Sequence, residues 1–331
     1  MNGLYLKHLA KLMFTTSKGS SFWNYRLYKK FESDQIARGT FKLEGSYSFA
    51  IVLQGQIVLD SNFTVETLKI YRKNFPNAIL ILSTWSIPNI QKKELKAINV
   101  YVIENQKPAN PGIGNINLQI VSSRSGILEA QKQGALYVLK TRCDQRIYHP
   151  GFDAYLFNLI HYFPLGKEVS LQKKRLIGAS LNCMKFRLYG VSDMFLFGCI
   201  DDMVMYWDTP LDERLHSPET QNNTAISWRE HAMLRICEVY LCIEFIKKLG
   251  REIRYTLSDS FDVLSKHFLI IDKDAIKIYW HKYTLNADRY PAFGLYEPEL
   301  GFNDWLMLFS LSDQVLIDES ILDQPMALLS R

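Results

Sequence analysis

The chain has 331 residues, 47% apolar and 22% charged, which is enough for a packed core and argues against wholesale disorder. Its five cysteines (Cys143, Cys183, Cys199, Cys237, Cys242) have neither CxxC spacing nor histidines at zinc-finger spacing, so a disulfide framework or structural zinc is not expected and reduced thiols fit better. The net charge is +5, and residues 1–40 account for all of it: seven cations stand against Glu32 and Asp34.

In residues 1–45 the cations Lys7, Lys11, Lys18, Arg26, Lys29, Lys30 and Arg38 alternate with Leu4, Leu9, Leu12, Phe14, Phe22 and Trp23. This reads as a basic amphipathic helical arm, suited either to packing on the domain or to resting on an anionic inner-membrane surface. The remainder is neutral and has no nucleic-acid-binding motif, so no nucleic-acid partner is expected. There is no apolar run of about 18 residues to span a membrane. Nor is there a signal-peptide pattern. A cytoplasmic protein, peripheral on the membrane at most, is the expectation.

Next comes a run of β-formers, Tyr47–Leu53, stopped by Gln54-Gly55-Gln56. Helical spacing over Phe63–Asn74 ends before Pro76. Ala78–Leu82 is an apolar strand ending at Ser83-Thr84-Trp85-Ser86, Ile90–Ile98 a short helix, and Val100–Glu104 a strand. After a Pro/Gly/Asn-rich loop, Ile120–Gln133 reads as a helix, and Ala135–Leu139 as a strand leading into Lys140-Thr141-Arg142-Cys143-Asp144. Short apolar strands alternating with helices imply an α/β fold with a mainly parallel sheet covered on both faces. Ligands of such sheets lie beyond the carboxyl ends of the strands. The polar segments Gln54–Gln56, Ser83–Ser86, Asn115–Gln119 and Arg142–Asp144 all adjoin strand ends.

The second half is less regular. Arg175–Leu181 reads as a strand, Phe186–Gly198 holds Ser192-Asp193 between a polar turn and an aromatic strand and ends at a glycine, and Asp201–Trp207 reads as a short helix that Asp202 starts. Leu211–Ser227 is a polar loop and Trp228–Leu249 one long amphipathic helix. Phe268–Ile271 and Ile276–Tyr279 suggest a hairpin turning at Asp272–Asp274.

Walker A, GxGxxG, HExxH and GxSxG patterns are absent. What remains is the strand end at Asp144. A carboxylate there can hold Mn²⁺ or Mg²⁺ that bridges a diphosphate. Alternatively Arg142 and Lys140 can neutralise the phosphates without metal. His149, five residues on, is either a further ligand or a structural histidine.

Gln119–Gly126 and Gly134–Gln145 together resemble the WavE lipopolysaccharide-synthesis family. Phe49–Gln56, Ile81–Trp85, Ser192–Gly198, the helix Glu238–Leu249 and Trp280-His281-Lys282 fit its pattern. The resemblance spans roughly residues 47–285. It implies a GT-A-like (Rossmann-like) fold and a glycosyltransferase that moves a sugar from a nucleotide-sugar donor to a saccharide or lipid-linked saccharide of a bacterial surface polysaccharide, lipopolysaccharide or capsule. Residues 46–150 would form the nucleotide-sugar-binding half, and 151–331 the acceptor-binding and C-terminal half of the same catalytic domain, mixed α+β in character. Arg142-Cys143-Asp144 stands where many GT-A enzymes carry Asp-x-Asp, so the metal is not assured.

Under this resemblance Gln54, Gly55 and Gln56 lie against the nucleotide, while Ser83, Thr84 and Trp85 contact base or ribose. Asn117, Gln119 and Arg124 face the phosphates or sugar. Asp193 is the candidate general base with Glu238 its rival, and Lys282 closes over the phosphates. The alternatives are transfer of another activated group, such as a polyol phosphate, and an inactive binding partner in a polysaccharide-synthesis complex.

Overall fold

The computed structural model describes residues 48–167, 171–215, 226–281, 299–311 and 317–324. The N-terminal arm and Lys282 lie outside them.

The elements alternate as the apolar periodicity predicts. β1 (Phe49–Gln54) is followed by α1 (Phe63–Asn74), β2 (Ile79–Thr84), α2 (Asn89–Ala97) and β3 (Val100–Glu104). Next come α3 (Ile116–Lys132), β4 (Tyr137–Arg142), the short β5 (Gln145–Ile147) and α4 (Phe152–Tyr162). The second half holds β6 (Leu176–Ala179), β7 (Leu196–Cys199), α5 (Ile200–Trp207), α6 (Trp228–Met233) and α7 (Glu238–Lys248). It ends with α8 (Leu257–His267), β8 (Phe268–Ile271), β9 (Ile278–Trp280) and α9 (Phe302–Leu311).

Seven strands form one sheet in the order β3-β2-β1-β4-β7-β6-β8, and only β7 runs against the rest. All six residues of β1 are buried, as are all four of β6, β7 and β8, because helices cover both faces. This is the helix-flanked, mainly parallel α/β sheet expected from the sequence. The carboxyl ends of β1, β2 and β4 and the amino end of β7 meet along one rim: Gln54 is in register with Ser83 and Arg142, and Lys140 with Leu196.

α3 starts four residues earlier than its apolar pattern suggests, placing Asn117 and Gln119 in its first turn. It lies close on the sheet because Gly126 has no side chain: a Cβ there would come within 2.4 Å of Val52 Cγ1.

Two readings of the second half need correction. Trp228–Leu249 is two helices. The chain turns between them through left-handed backbone at Arg235 (φ 51°) and Cys237 (φ 47°). No glycine or proline marks that break; tertiary bonds hold it, from Arg214 to the carbonyls of Leu234 and Arg235 and from Cys237 Sγ to Gly114 O. Phe268–Ile271 and Ile278–Trp280 do not form a hairpin: β8 joins β6 in parallel, and β9 pairs with β5 in a separate two-stranded antiparallel sheet. The aromatic strand expected after Asp193 is β7, and Leu188–Phe195 before it is buried but irregular.

Candidate active site at the strand-end rim

The rim has a floor of buried amides and hydroxyls bonded to one another. Gln54 Nε2 donates to Gln119 Oε1 at 3.2 Å, and Gln54 Oε1 accepts from Ser122 Oγ at 2.7 Å. Ser83 Oγ donates to Ser122 O at 2.6 Å and accepts from Asn105 Nδ2 at 2.9 Å. Asn117 donates to the carbonyls of Asn110 and Asp212 and accepts from Asp212 N at 2.7 Å, lashing the segment after α5 to the start of α3. Gln54, Ser83, Thr84 and Asn117, all expected at the donor, are buried. They build the floor of the rim from within.

Lys140 lies in the same layer, fully buried. Its Nζ donates to Gln119 Oε1 at 3.3 Å and to the backbone carbonyl of Asp193, and it sits 4.6 Å from the Trp207 ring. Burial pushes its pKa down to about 7; the nearby Asp193 charge opposes the fall and Arg142 adds to it. Enclosed in this way, Lys140 joins β4 to the segment before β7 and has no free face for a phosphate.

Gln56 is exposed, and Gly55, Trp85, Gln119, Arg142 and Asp144 are half-buried at the rim. Gly55, at φ 106°, makes the turn off β1 that brings its amide to Ser83 O at 3.0 Å. Arg142 grips Asp144 by two bonds, Nε to Oδ1 at 2.8 Å and Nη2 to Oδ2 at 2.9 Å. Trp280, from β9, donates Nε1 to Asp144 Oδ2 at 3.1 Å. Burial works against the Asp144 carboxylate, yet Arg142 and Trp280 hold it below the usual carboxylate range. Arg124 stands apart, half exposed and ion-paired with Asp208 on the surface. The His149 ring accepts from Gly151 N at 3.2 Å.

The two candidate bases come together at the β7 side. Asp193 is buried, and its Oδ2 meets no hydrogen-bond donor among the described residues. Glu238 opens α7 just after the strained Cys237 and is held by Arg187 Nη1 at 2.8 Å and Asn182 Nδ2 at 2.9 Å. Burial pushes the Glu238 carboxyl up, Arg187 counters it, and the Asp193 charge pushes it up further. Tyr206 OH, close enough to feel both carboxylates, also lacks a partner among the described residues. Asp202, by contrast, is structural: its carboxylate accepts from Lys173 N at 2.9 Å and Lys174 N at 2.8 Å.

Sequence reasoning gave Asn182, Arg187, Tyr206 and Trp207 no part in the site. They come from segments without regular periodicity or from the buried face of a helix. Trp280 stands in the family-like Trp280-His281-Lys282, but no property of the strand itself pairs it with Asp144.

The helix-flanked, mainly parallel sheet with its polar rim defines an α/β protein. The chain belongs to the WavE lipopolysaccharide synthesis family, whose pattern matches residues 49–312. No curated protein is significantly similar in sequence. Among solved structures, glucosyl-3-phosphoglycerate synthase from Mycobacterium tuberculosis, in complex with Mn²⁺, UDP and phosphoglyceric acid, is similar at 12% identity over 68% of each chain, with a TM-score of 0.35. A Desulfovibrio desulfuricans G20 protein named as a nucleotide-diphospho-sugar transferase is similar at 8% identity over 80% of this chain and 95% of its own, with a TM-score of 0.33. Among the described residues no helix is long and apolar enough to cross a membrane.

Proposed function

We propose that this chain is a glycosyltransferase that binds a nucleotide-sugar at the rim and passes the sugar to a saccharide or lipid-linked saccharide of a bacterial surface polysaccharide, with Asp193 as general base. In a single displacement the acceptor hydroxyl oxygen bonds to the anomeric carbon as that carbon's bond to the diphosphate oxygen breaks. The hydroxyl proton passes to the Asp193 carboxylate, and the electron pair leaves with the diphosphate.

Family membership supports the class of reaction. One observation carries the choice of base: Asp193 is buried with a carboxylate oxygen that no described residue satisfies. A buried oxygen without a partner is costly, and a ligand hydroxyl would relieve that cost. Glu238 has its carboxylate tied to Arg187 and Asn182, which suits it to orienting an acceptor.

A thermal-shift panel of nucleotide sugars identifies the donor, since a bound ligand raises the melting temperature by mass action. With that donor and a lipopolysaccharide-derived acceptor, Asp193→Asn is expected to keep the thermal shift and lose roughly 10²- to 10⁴-fold in kcat. Glu238→Gln should chiefly raise KM for the acceptor. Full turnover in Asp193→Asn removes Asp193 from the role.

A further inference from the structure

A nucleotide-sugar carries two phosphates whose charge must be met as the sugar leaves. The sequence leaves open a divalent cation on Asp144 or the cationic side chains beside it. Lys140 is enclosed, so the choice falls between the metal and Arg142.

The surroundings of Asp144 do not suit a metal. Oδ1 accepts from Arg142 Nε, and Oδ2 accepts from both Arg142 Nη2 and Trp280 Nε1. Mn²⁺ or Mg²⁺ on this carboxylate would have to displace a guanidinium or sit beside its like charge. Among the described residues, no group of three His, Cys, Asp or Glu side chains could share the ion.

Arg142 has the features of an anion receptor instead. It ends β4 in register with Gln54, so it stands on the rim beside the turn at Gly55. Asp144 fixes one edge of its guanidinium, and the Trp280 ring lies 5.6 Å from its carbon. Nη1 meets no acceptor among the described residues, and the side chain keeps 24% of its exposure. An arginine already held on one edge loses less rotamer freedom when it binds, and its open donors match the oxygens of a phosphate.

We infer that Arg142, positioned by Asp144 and Trp280, binds the donor's diphosphate in place of a divalent cation at Asp144. This rests on the nucleotide-sugar reading of the rim.

The test is calorimetric titration of the full-length protein with UDP, ADP, GDP, CDP and dTDP, in EDTA and again in Mn²⁺. One diphosphate is expected to bind in EDTA as tightly as in Mn²⁺. Arg142→Ala should weaken that binding roughly ten- to hundredfold in EDTA, and Mn²⁺ should restore part of it, because Asp144 is then released. Arg142→Lys keeps the charge without the fork and should fall between wild type and Arg142→Ala; it decides the matter should the alanine variant not fold. Wild-type binding that needs Mn²⁺ and disappears in Asp144→Asn overturns the inference and leaves the donor site standing. Binding of no diphosphate under either condition overturns the donor site and the inference with it.

Discussion

His267 shows how strongly single residues here are governed by burial. It is 5% exposed, its Nδ1 lies 2.8 Å from Gln172 Oε1, and Gln172 Nε2 donates to its backbone carbonyl at 2.9 Å. A carbonyl acceptor on Nδ1 places a proton there. Burial, aided by Arg251, pushes its pKa down to about 4. The folded value is thus depressed below the unfolded value of about 6.5, so the stabilisation is fully present above pH 6.5 and is lost as the pH falls toward 4. Over that window the loss is on the order of 3 kcal/mol at 1.36 kcal/mol per pH unit. His231 is pushed down to about 4 as well and acts with the same sign; the raised Glu238 acts with the opposite one. Urea unfolding between pH 7.5 and 4.5 should show midpoints falling with pH, and His267→Gln should flatten the slope. An unchanged slope in that variant would rule out His267 as a source.

At the scale of elements, the contact of α3 with the sheet sets the depth of the rim. Gly126 lets the helix approach until Ser122 reaches both Gln54 and Ser83. Alanine at 126 is a better helix former, yet its Cβ would press on Val52 Cγ1, a branched side chain inside the sheet. Overpacking of this kind costs about 1–3 kcal/mol, so Gly126→Ala should lower the denaturation midpoint. It should also weaken donor binding, because the helix must lift its Ser122 and Gln119 from the floor. A variant as stable as wild type would show that the helix can slide without cost. The same scale explains what could be read from the sequence. α1 runs Phe63–Asn74 and β3 Val100–Glu104, as their patterns predict, since local periodicity and Pro76 define them. The break at Arg235–Cys237 is held by Arg214, 21 residues upstream, and no window centred on the helix contains that information. At the site, strand ends told which residues gather at the rim but not which way they turn. Ser83, Asn117 and Lys140 spend their polar atoms inside the protein, and the partner of Asp144 comes from Trp280, 136 residues away.

At the scale of the whole chain, charge is divided unevenly. Residues 1–40 carry the entire excess of +5, and the rest of the chain holds equal numbers of acidic and basic residues. A lipid-linked acceptor would be met at a membrane surface, and the neutral remainder has no net attraction to anionic lipid. The six cations Lys7, Lys11, Lys18, Arg26, Lys29 and Lys30 lie in a stretch with no acidic residue. Each basic residue near an anionic surface contributes about 1 kcal/mol. Replacing all six by glutamine in the full-length chain should therefore lower binding to phosphatidylserine-containing vesicles by tenfold or more, while binding to neutral vesicles stays at its low level. Raising the salt to about 1 M, where the Debye length falls to about 3 Å, should have the same effect on the wild type. The nucleotide-sugar thermal shift should be unaltered, because no rim residue is changed. If vesicle binding survives both the substitutions and the salt, the basic segment is no electrostatic anchor, and the acceptor must reach the rim by another route.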